Sequence, residues 1–435
     1  MKKLIFLPII ILVLFGSCKK DNVTPDGSVT PAMARDTLYY IMKEFYFWYD
    51  MPEASSVTTE NKDNYKDPYE LLEAMRYQTL DRWSFVADYD EFMAEMQGEF
   101  VGHGIRIGLD HSLLARIAMI YKNSPLYTEG VRRGWIIKQI NNTDLAPILI
   151  NRDAAAFSDL MGPSAAGITN IFLFQKPDGT EVTISSTKST FTVNTVHLAE
   201  ILQLTSGPTG HLVFDSFITP TANELATAFA SFKAAGIKDL ILDLRYNTGG
   251  YLTIAQTLAS YIAGDSRKGN AFSKLSYNNK HLASNYTFPF IATPYSLDLS
   301  RVVVITTRST ASASEAVMNG LKPFVNVVSI GDTTNGKPTG MNGWPVGQKY
   351  YFWPVTFKIV NADNQGEYYQ GIFPAKVLPD DITHDFDDQN ETCLKEAIYY
   401  LEHGSVSAKG LQEFKRYPQY SEKPSWMNNA FVLDK

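Results

Sequence analysis

The chain has 435 residues, 45% hydrophobic and 20% charged, with a net charge of −7. That length exceeds one small domain and implies two or three. The acidic balance, with no long Lys/Arg cluster, argues against nucleic acid as a partner.

The first eighteen residues are MKKLIFLPIIILVLFGSC. Lys2 and Lys3 form a positive n-region, Leu4 to Phe15 an apolar run, and Gly16 and Ser17 a small pair before Cys18. This is the pattern of a secretory signal, short of the roughly 20 apolar residues of a membrane span. The placement of Cys18 resembles a bacterial lipobox, with Phe15 where Leu is usual. That resemblance implies lipidation of Cys18 and a membrane tether through a lipid anchor. The expected location is the cell envelope, on the periplasmic or surface face of the outer membrane. A lipidated Cys18 leaves Cys393 without a partner for an intramolecular disulfide. Cys393 stands at helical spacing with Leu394, Ala397, Ile398 and Leu401, which predicts a buried structural thiol.

Residues 19–33 are polar, with two prolines and a glycine, and read as a tether. Residues 34–98 read as a small helical domain. Leu38, Ile41, Met42, Phe45 and Tyr49 recur at helix period, and Asp67, Pro68 and Glu70 form a helix start. A third helix is expected through DEFMAEMQ.

Residues 99–192 read as short strands with two short helices, including a hairpin around Pro177-Asp178-Gly179. Residues 193–410 alternate strand and helix, with near-continuous apolar strands such as DLILDL and RVVVIT. That pattern predicts a mostly parallel sheet covered on both faces. One helix is expected to open with a capping box from Thr221 to Glu224 and to stop at Gly236. Residues 411–435 remain as a C-terminal extension.

In STASASEAVMNGLK, Ser312 falls between the strand RVVVIT and a helix beginning near Ala313. Sites of parallel sheets gather at this carboxyl edge. The Ala313 amide, in the first turn, would face an oxyanion formed there. Ser312 to Glu315 is also a capping box, which needs no catalysis. A serine nucleophile requires a base, and a neutral buried lysine is one recognised solution. Lys337, 25 positions on (337 − 312), follows the neighbouring strand NVVSIG, so the two strands would deliver both residues to one edge. In LDLRYNTGG, Gly249 or Gly250 can bring a second amide to an oxyanion, while Asp243 and Arg245 hold the turn.

Together, LDLRYNTGG, TASASEA and GDTTNGK resemble the carboxyl-terminal processing, or tail-specific, serine peptidases, whose core is shared with tricorn. The resemblance spans about residues 35–405. It implies Ser312 as nucleophile, Lys337 as general base, and Ala313 with Gly249 or Gly250 as the oxyanion hole. It implies an α/β multidomain protein with a ClpP/crotonase-like catalytic core, a PDZ-like domain and a small N-terminal helical domain. In the PDZ-like part, Gly102, His103, Gly104 and Ile105 resemble a carboxylate-binding loop for peptide ends. The run NSPLYTEGVRRGWIIKQIN is similar to the family's pattern, with Trp135 in place of Asp. The helical N-terminal part, including LDRWSF, is similar to leaders of secreted lipoprotein members from Bacteroides-like bacteria. Many members carry Gly-Lys-Gly and a Gln four positions past the lysine; here Pro338 and Met341 stand there, so the third catalytic member is unassigned.

The implied activity is a serine endopeptidase acting on unstructured or C-terminal protein segments, with protein or peptide substrates and no cofactor. No His-Glu-x-x-His or other metal pattern occurs among the seven histidines. Two other classes stand beside it. One is an inactive envelope protein that binds peptide C-termini through its PDZ-like domain. The other is acyl-transfer or hydratase chemistry on a crotonase-like sheet.

Overall fold

The computed structural model describes residues 29–408, 415–417 and 419–422. The leader, Cys18 and most of the tether lie outside the described residues. The first helix, Pro31–Phe45, starts inside the stretch expected as tether, because Thr30 accepts the Met33 amide and Pro31 fits the first turn. Helices Pro68–Met75 and Tyr89–Met96 follow, the former capped by Asp67. This region does not keep its core to itself. Strand Phe85–Asp88 pairs with Tyr350–Trp353, and Leu38, Met42, Trp48 and Leu71 pack with Tyr350, Phe352 and Val355.

The short strands expected from residue 99 onward begin with two that are separated by His103 and Gly104. Glu99–Gly102 pairs with Ser189–Thr192, whereas Ile105–Leu109 enters a seven-stranded antiparallel sheet. That sheet contains the expected hairpin, Thr169–Gln175 with Glu181–Thr187. Its far edge carries an unexpected strand, Tyr420–Ser421, from the C-terminal extension.

Antiparallel pairing dominates the molecule; the parallel ladders lie in one six-stranded sheet. Its order is Val196–Leu204, Gly207–Phe214, Asp239–Asp243, Arg301–Thr306, Asn326–Gly331 and Lys376–Val377. The first pair is antiparallel and the other four are parallel. Alternate side chains explain its two covers. Leu240, Leu242, Val302 and Val304 face helices Thr221–Ala235, Leu252–Ala263 and Ala313–Leu321. Ile241, Val303, Ile305 and Ile330 face helix Thr392–His403 and its buried Cys393. Each such aliphatic side chain, fully buried, contributes about 1.5–3 kcal/mol.

The helix at 221 departs from its expected cap. Pro220 is the N-cap, and the Thr221 hydroxyl donates to the Ser216 carbonyl. Glu224 instead accepts from the Thr195 and Val196 amides, tying the helix to the neighbouring edge strand. The longer-range bonds satisfy more donors than the local box would. The helix does stop at Gly236, in the left-handed conformation (φ 62°).

Candidate active site

Parallel pairing brings Thr306 opposite Gly331, so the chain leaves both strands at one edge. From there the segment 307–314 carries Ser312 and the segment 332–337 carries Lys337. The turn 244–250 leaves the adjacent strand Asp239–Asp243. Backbone bonds weld the three. The Asn335 amide donates to the Thr310 carbonyl (2.9 Å), and the Ala311 amide to the Asn247 carbonyl (3.0 Å). Ser314 Oγ donates to that same carbonyl (3.0 Å).

Ser312 sits at the N-cap of helix Ala313–Leu321 with φ 56° and ψ −114°. A structural N-cap takes extended backbone. A serine held at positive φ costs about 1–3 kcal/mol, a strain typical of nucleophile turns and active sites. The backbone therefore tips the balance away from a purely structural cap. A Cβ on Gly249 would stand 2.8 Å from the Ser312 Cβ and 3.0 Å from the Ala313 amide, so only glycine permits this approach. Of the two candidate glycines, Gly249 already donates its amide to Asn247 Oδ1 (2.9 Å). Gly250 lies beside Phe217 in a parallel bridge. Ala313, in the first helical turn, has no intrahelical acceptor for its amide.

Lys337 is partly buried, and burial lowers its pKa to about 8, against the opposing pull of Asp81 and Glu315. Its Nζ contacts Met341 Sδ at 3.1 Å. Thioether sulfur is a weak acceptor, so this partner does little to hold the ammonium form. The residue found four positions past the lysine is therefore in contact with it, although its type departs from the family pattern.

Glu315 is the residue whose role the sequence left out. Its fully buried carboxylate accepts the amides of Ser312 (3.0 Å), Gly336 (2.7 Å) and Lys337 (2.8 Å), and the Thr334 hydroxyl. Burial raises its pKa, and the bonds it accepts pull the other way. One side chain thus fixes the serine turn to the lysine loop. The capping-box spacing was its only sequence signal, and that predicts the Ser312 bond alone. From the N-terminal region, Trp83 Nε1 donates to Asn335 Oδ1 (3.0 Å), bracing the lysine loop from outside.

Beneath the glycine turn, Arg245 bonds Asp243, Asp380 and Glu391, all at 2.9–3.1 Å. Burial opposes its charge, but the three carboxylates outweigh that and raise its pKa. This is the turn-holding role expected for Asp243 and Arg245.

Ser312, Ala313, Gly249, Gly250 and Lys337 all line one cavity of about 250 Å³. Its other walls are mostly apolar, including Phe85, Phe92, Ile218, Trp353 and Phe357, with Glu95, Ser216 and Thr248 as polar members. Among the described residues no cluster of His, Cys, Asp and Glu fits a metal ion, and no helix is long and apolar enough to cross a membrane.

The loop 102–105 lies elsewhere, at the edge of the seven-stranded sheet. His103 does not offer its ring there. The side chain is buried, bonding Ser186 Oγ (2.9 Å) and Asn170 Oδ1 (2.8 Å), and burial lowers its pKa to about 4. Its amide and that of Gly104 point instead at the carboxylate of Glu422.

Residues 208–377 match the family described as Peptidase family S41, and residues 34–85 match its Peptidase S41 N-terminal domain. The carboxy-terminal processing protease CtpB of Bacillus subtilis (strain 168) is 23% identical over 329 residues, 74% of this chain and 65% of that protein. The carboxy-terminal processing protease CtpA of the same strain is 30% identical over 227 residues, 50% of this chain and 43% of that protein. The chain thus spans less than two thirds of either relative's length. A crystal structure of an S41-type protein from Bacteroides fragilis NCTC 9343 superposes with a TM-score of 0.67 at 23% identity, covering 84% of this chain and 96% of the other. The fold is the mixed α/β, multidomain fold of S41 protease structures. The two family models place residues 34–85 and 208–377 in peptidase family S41.

Proposed function

We propose that the chain is a serine endopeptidase that hydrolyses unstructured or C-terminal segments of proteins with a Ser312–Lys337 dyad. Neutral Lys337 takes the Ser312 hydroxyl proton as Oγ attacks the peptide carbonyl carbon. The oxyanion faces the Ala313 amide and an amide of Gly249 or Gly250. Lys337 then protonates the leaving amine, and water, deprotonated by Lys337, releases the acyl group. Gly249 serves in this role only after its amide leaves Asn247; Gly250 needs no such exchange. The apolar cavity beside Ser312 suits an apolar side chain next to the scissile bond.

The observation that carries this reading is a strained Ser312 sharing one cavity with a lysine of pKa about 8, both anchored by Glu315. In the same reading, residues 99–192 are a PDZ-like domain whose loop 102–105 receives peptide ends, and Cys18 anchors the protein to the cell envelope. The direct test is cleavage of an unstructured protein by wild type, Ser312→Ala and Lys337→Ala, each checked for folding. Each variant is expected to lose on the order of 10³-fold or more. Equal cleavage by all three would remove the assignment. Peptide binding without any cleavage would favour the inactive-binder alternative.

A further inference from the structure

The C-terminal extension ends its described course inside the loop 102–105. Strand Tyr420–Ser421 pairs antiparallel with Ile105–Leu109, Tyr420 opposite Ile107 and Ser421 opposite Arg106. The next residue, Glu422, directs its carboxylate into the loop. Its Oε2 accepts the His103 amide at 2.8 Å and the Gly104 amide at 2.9 Å, and the Ile105 amide also bonds the carboxylate. A Cβ on Gly102 would lie 2.8 Å from that oxygen, so the glycine makes room for it. Buried Lys188 brings its ammonium to 3.8 Å from Glu422 Oε1. On the other side, the Tyr420 ring packs on Phe157 of helix Ala154–Met161, centroids 4.9 Å apart.

An added strand, lying between a sheet edge and a helix and ending in a carboxylate on converging amides, is how chain ends are captured in general. Here the chain supplies that strand itself, with a glutamate side chain in place of a terminal carboxylate. We infer that residues 419–422 are a tethered occupant of a site for extended peptides ending in a carboxylate, and that an incoming chain end must displace Glu422. This rests on the proposed reading of loop 102–105 as the peptide-docking loop.

The occupant is built to leave. Its strand has two residues, and burial pushes the Glu422 carboxyl above its ordinary pKa despite Lys188 and the amides. The same segment also touches the candidate active site's supports. Gln419 Nε2 donates to Asp380 Oδ2 (2.8 Å), the carboxylate that also holds Arg245 and Tyr246 before the glycine turn. Arg416 pairs with Asp332, five positions before Lys337 (337 − 332). Displacement of 419–422 therefore removes the Gln419 bond to Asp380 and frees the chain just beyond Arg416, whose two bonds hold Asp332, linking groove occupancy to the loops around Ser312.

The test uses the full chain in a Ser312→Ala background, so that bound peptide is not consumed. The probe is a fluorescein-labelled eight-residue Ala/Val/Leu peptide with a free carboxylate, beside its C-terminal amide. Glu422→Gln is expected to tighten binding of the free-carboxylate probe about tenfold, because the competent fraction rises as the competitor loses its charge. The amide is expected to bind weakly to both chains. An unchanged affinity on Glu422→Gln overturns the self-occupancy inference alone. No binding to either chain, or equal binding of the amide, overturns the docking reading with it. Hydrogen exchange on the chain with native Glu422 provides a measurement free of that substitution. Probe binding should raise exchange at 419–422 while 103–105 stay protected; unaltered exchange at 419–422 overturns the inference. Loss of cleavage in Ser312→Ala is a separate observation, so the peptidase reading and this one can fail independently.

Discussion

Glu315 and Glu422 each place a buried carboxylate where backbone amides converge, and they differ in what holds the carboxylate there. Glu315 belongs to a nine-residue helix that is buried along its whole length, and its amide partners lie on two loops leaving adjacent parallel strands. Glu422 follows a two-residue strand at a sheet edge, near the end of the chain. The same device is a permanent rivet in the first case and an exchangeable plug in the second. Identical local chemistry thus acquires a different function from the depth of packing behind it.

Removing each carboxylate should break this comparison most openly. Glu315→Ala leaves three amides and a hydroxyl buried without their acceptor, a loss of about 3–5 kcal/mol. The melting temperature should fall steeply, and kcat should fall with it at temperatures where the variant remains folded. Glu422→Gln should cost about 1 kcal/mol or less, because a detached tail returns those donors to water. Equal losses of stability in the two variants would mean that the tail is as structural as the helix.

Gly249→Ala comes next. The new Cβ would meet the Ser312 Cβ at 2.8 Å, at a backbone φ of 104° that a non-glycine residue rarely adopts. Cleavage should fall about a hundredfold or more while secondary structure by circular dichroism is kept, since a small misplacement of reacting groups is costly. Gly130→Ala, outside the cavity lining, is the control: its φ is 90°, but nothing lies within 4 Å of the new Cβ. It should cost some stability and little activity.

The meeting of Ser312 and Lys337 at one sheet edge was legible because it follows from local signals. Apolar strands, a capping box and a short crossover leave few ways to arrange two adjacent parallel strands. The helix stop at Gly236, the Asp67 cap and the buried Cys393 were legible for the same reason. What escaped is long-range. Glu224 has the spacing of a cap and instead serves Thr195 and Val196 across the sheet edge. Glu315 caps its own helix, yet its larger role is 21 and 22 positions away. Strand Tyr350–Trp353, which completes the N-terminal core, comes some 260 residues after its partner Phe85–Asp88. Tyr420–Ser421 is too short to show alternation, and nothing local in Glu422 announces an acceptor for amides 318 and 319 positions earlier. Periodicity reports which face of an element is buried, not which distant donor a carboxylate will find.

The pH profile sharpens the rivet side of the comparison. In the proposed mechanism Lys337 works in its neutral form, and with a folded pKa of about 8 its neutral fraction grows as pH rises. The ratio kcat/KM should therefore climb through neutral pH, with a midpoint near 8, and level off above it. A profile flat across that range would remove Lys337 as the base. Met341→Gln is the subtlest change. The thioether is a weak acceptor for Nζ, whereas an amide oxygen in its place would hydrogen-bond the ammonium form and favour it. The midpoint should move upward, so the variant loses activity at neutral pH and recovers it in alkaline buffer. Met341→Leu, which keeps the bulk and removes the sulfur, should leave the midpoint unchanged or slightly lower. If the glutamine variant shifts the midpoint down, residue 341 does not hold the ammonium form of Lys337, and burial sets its pKa.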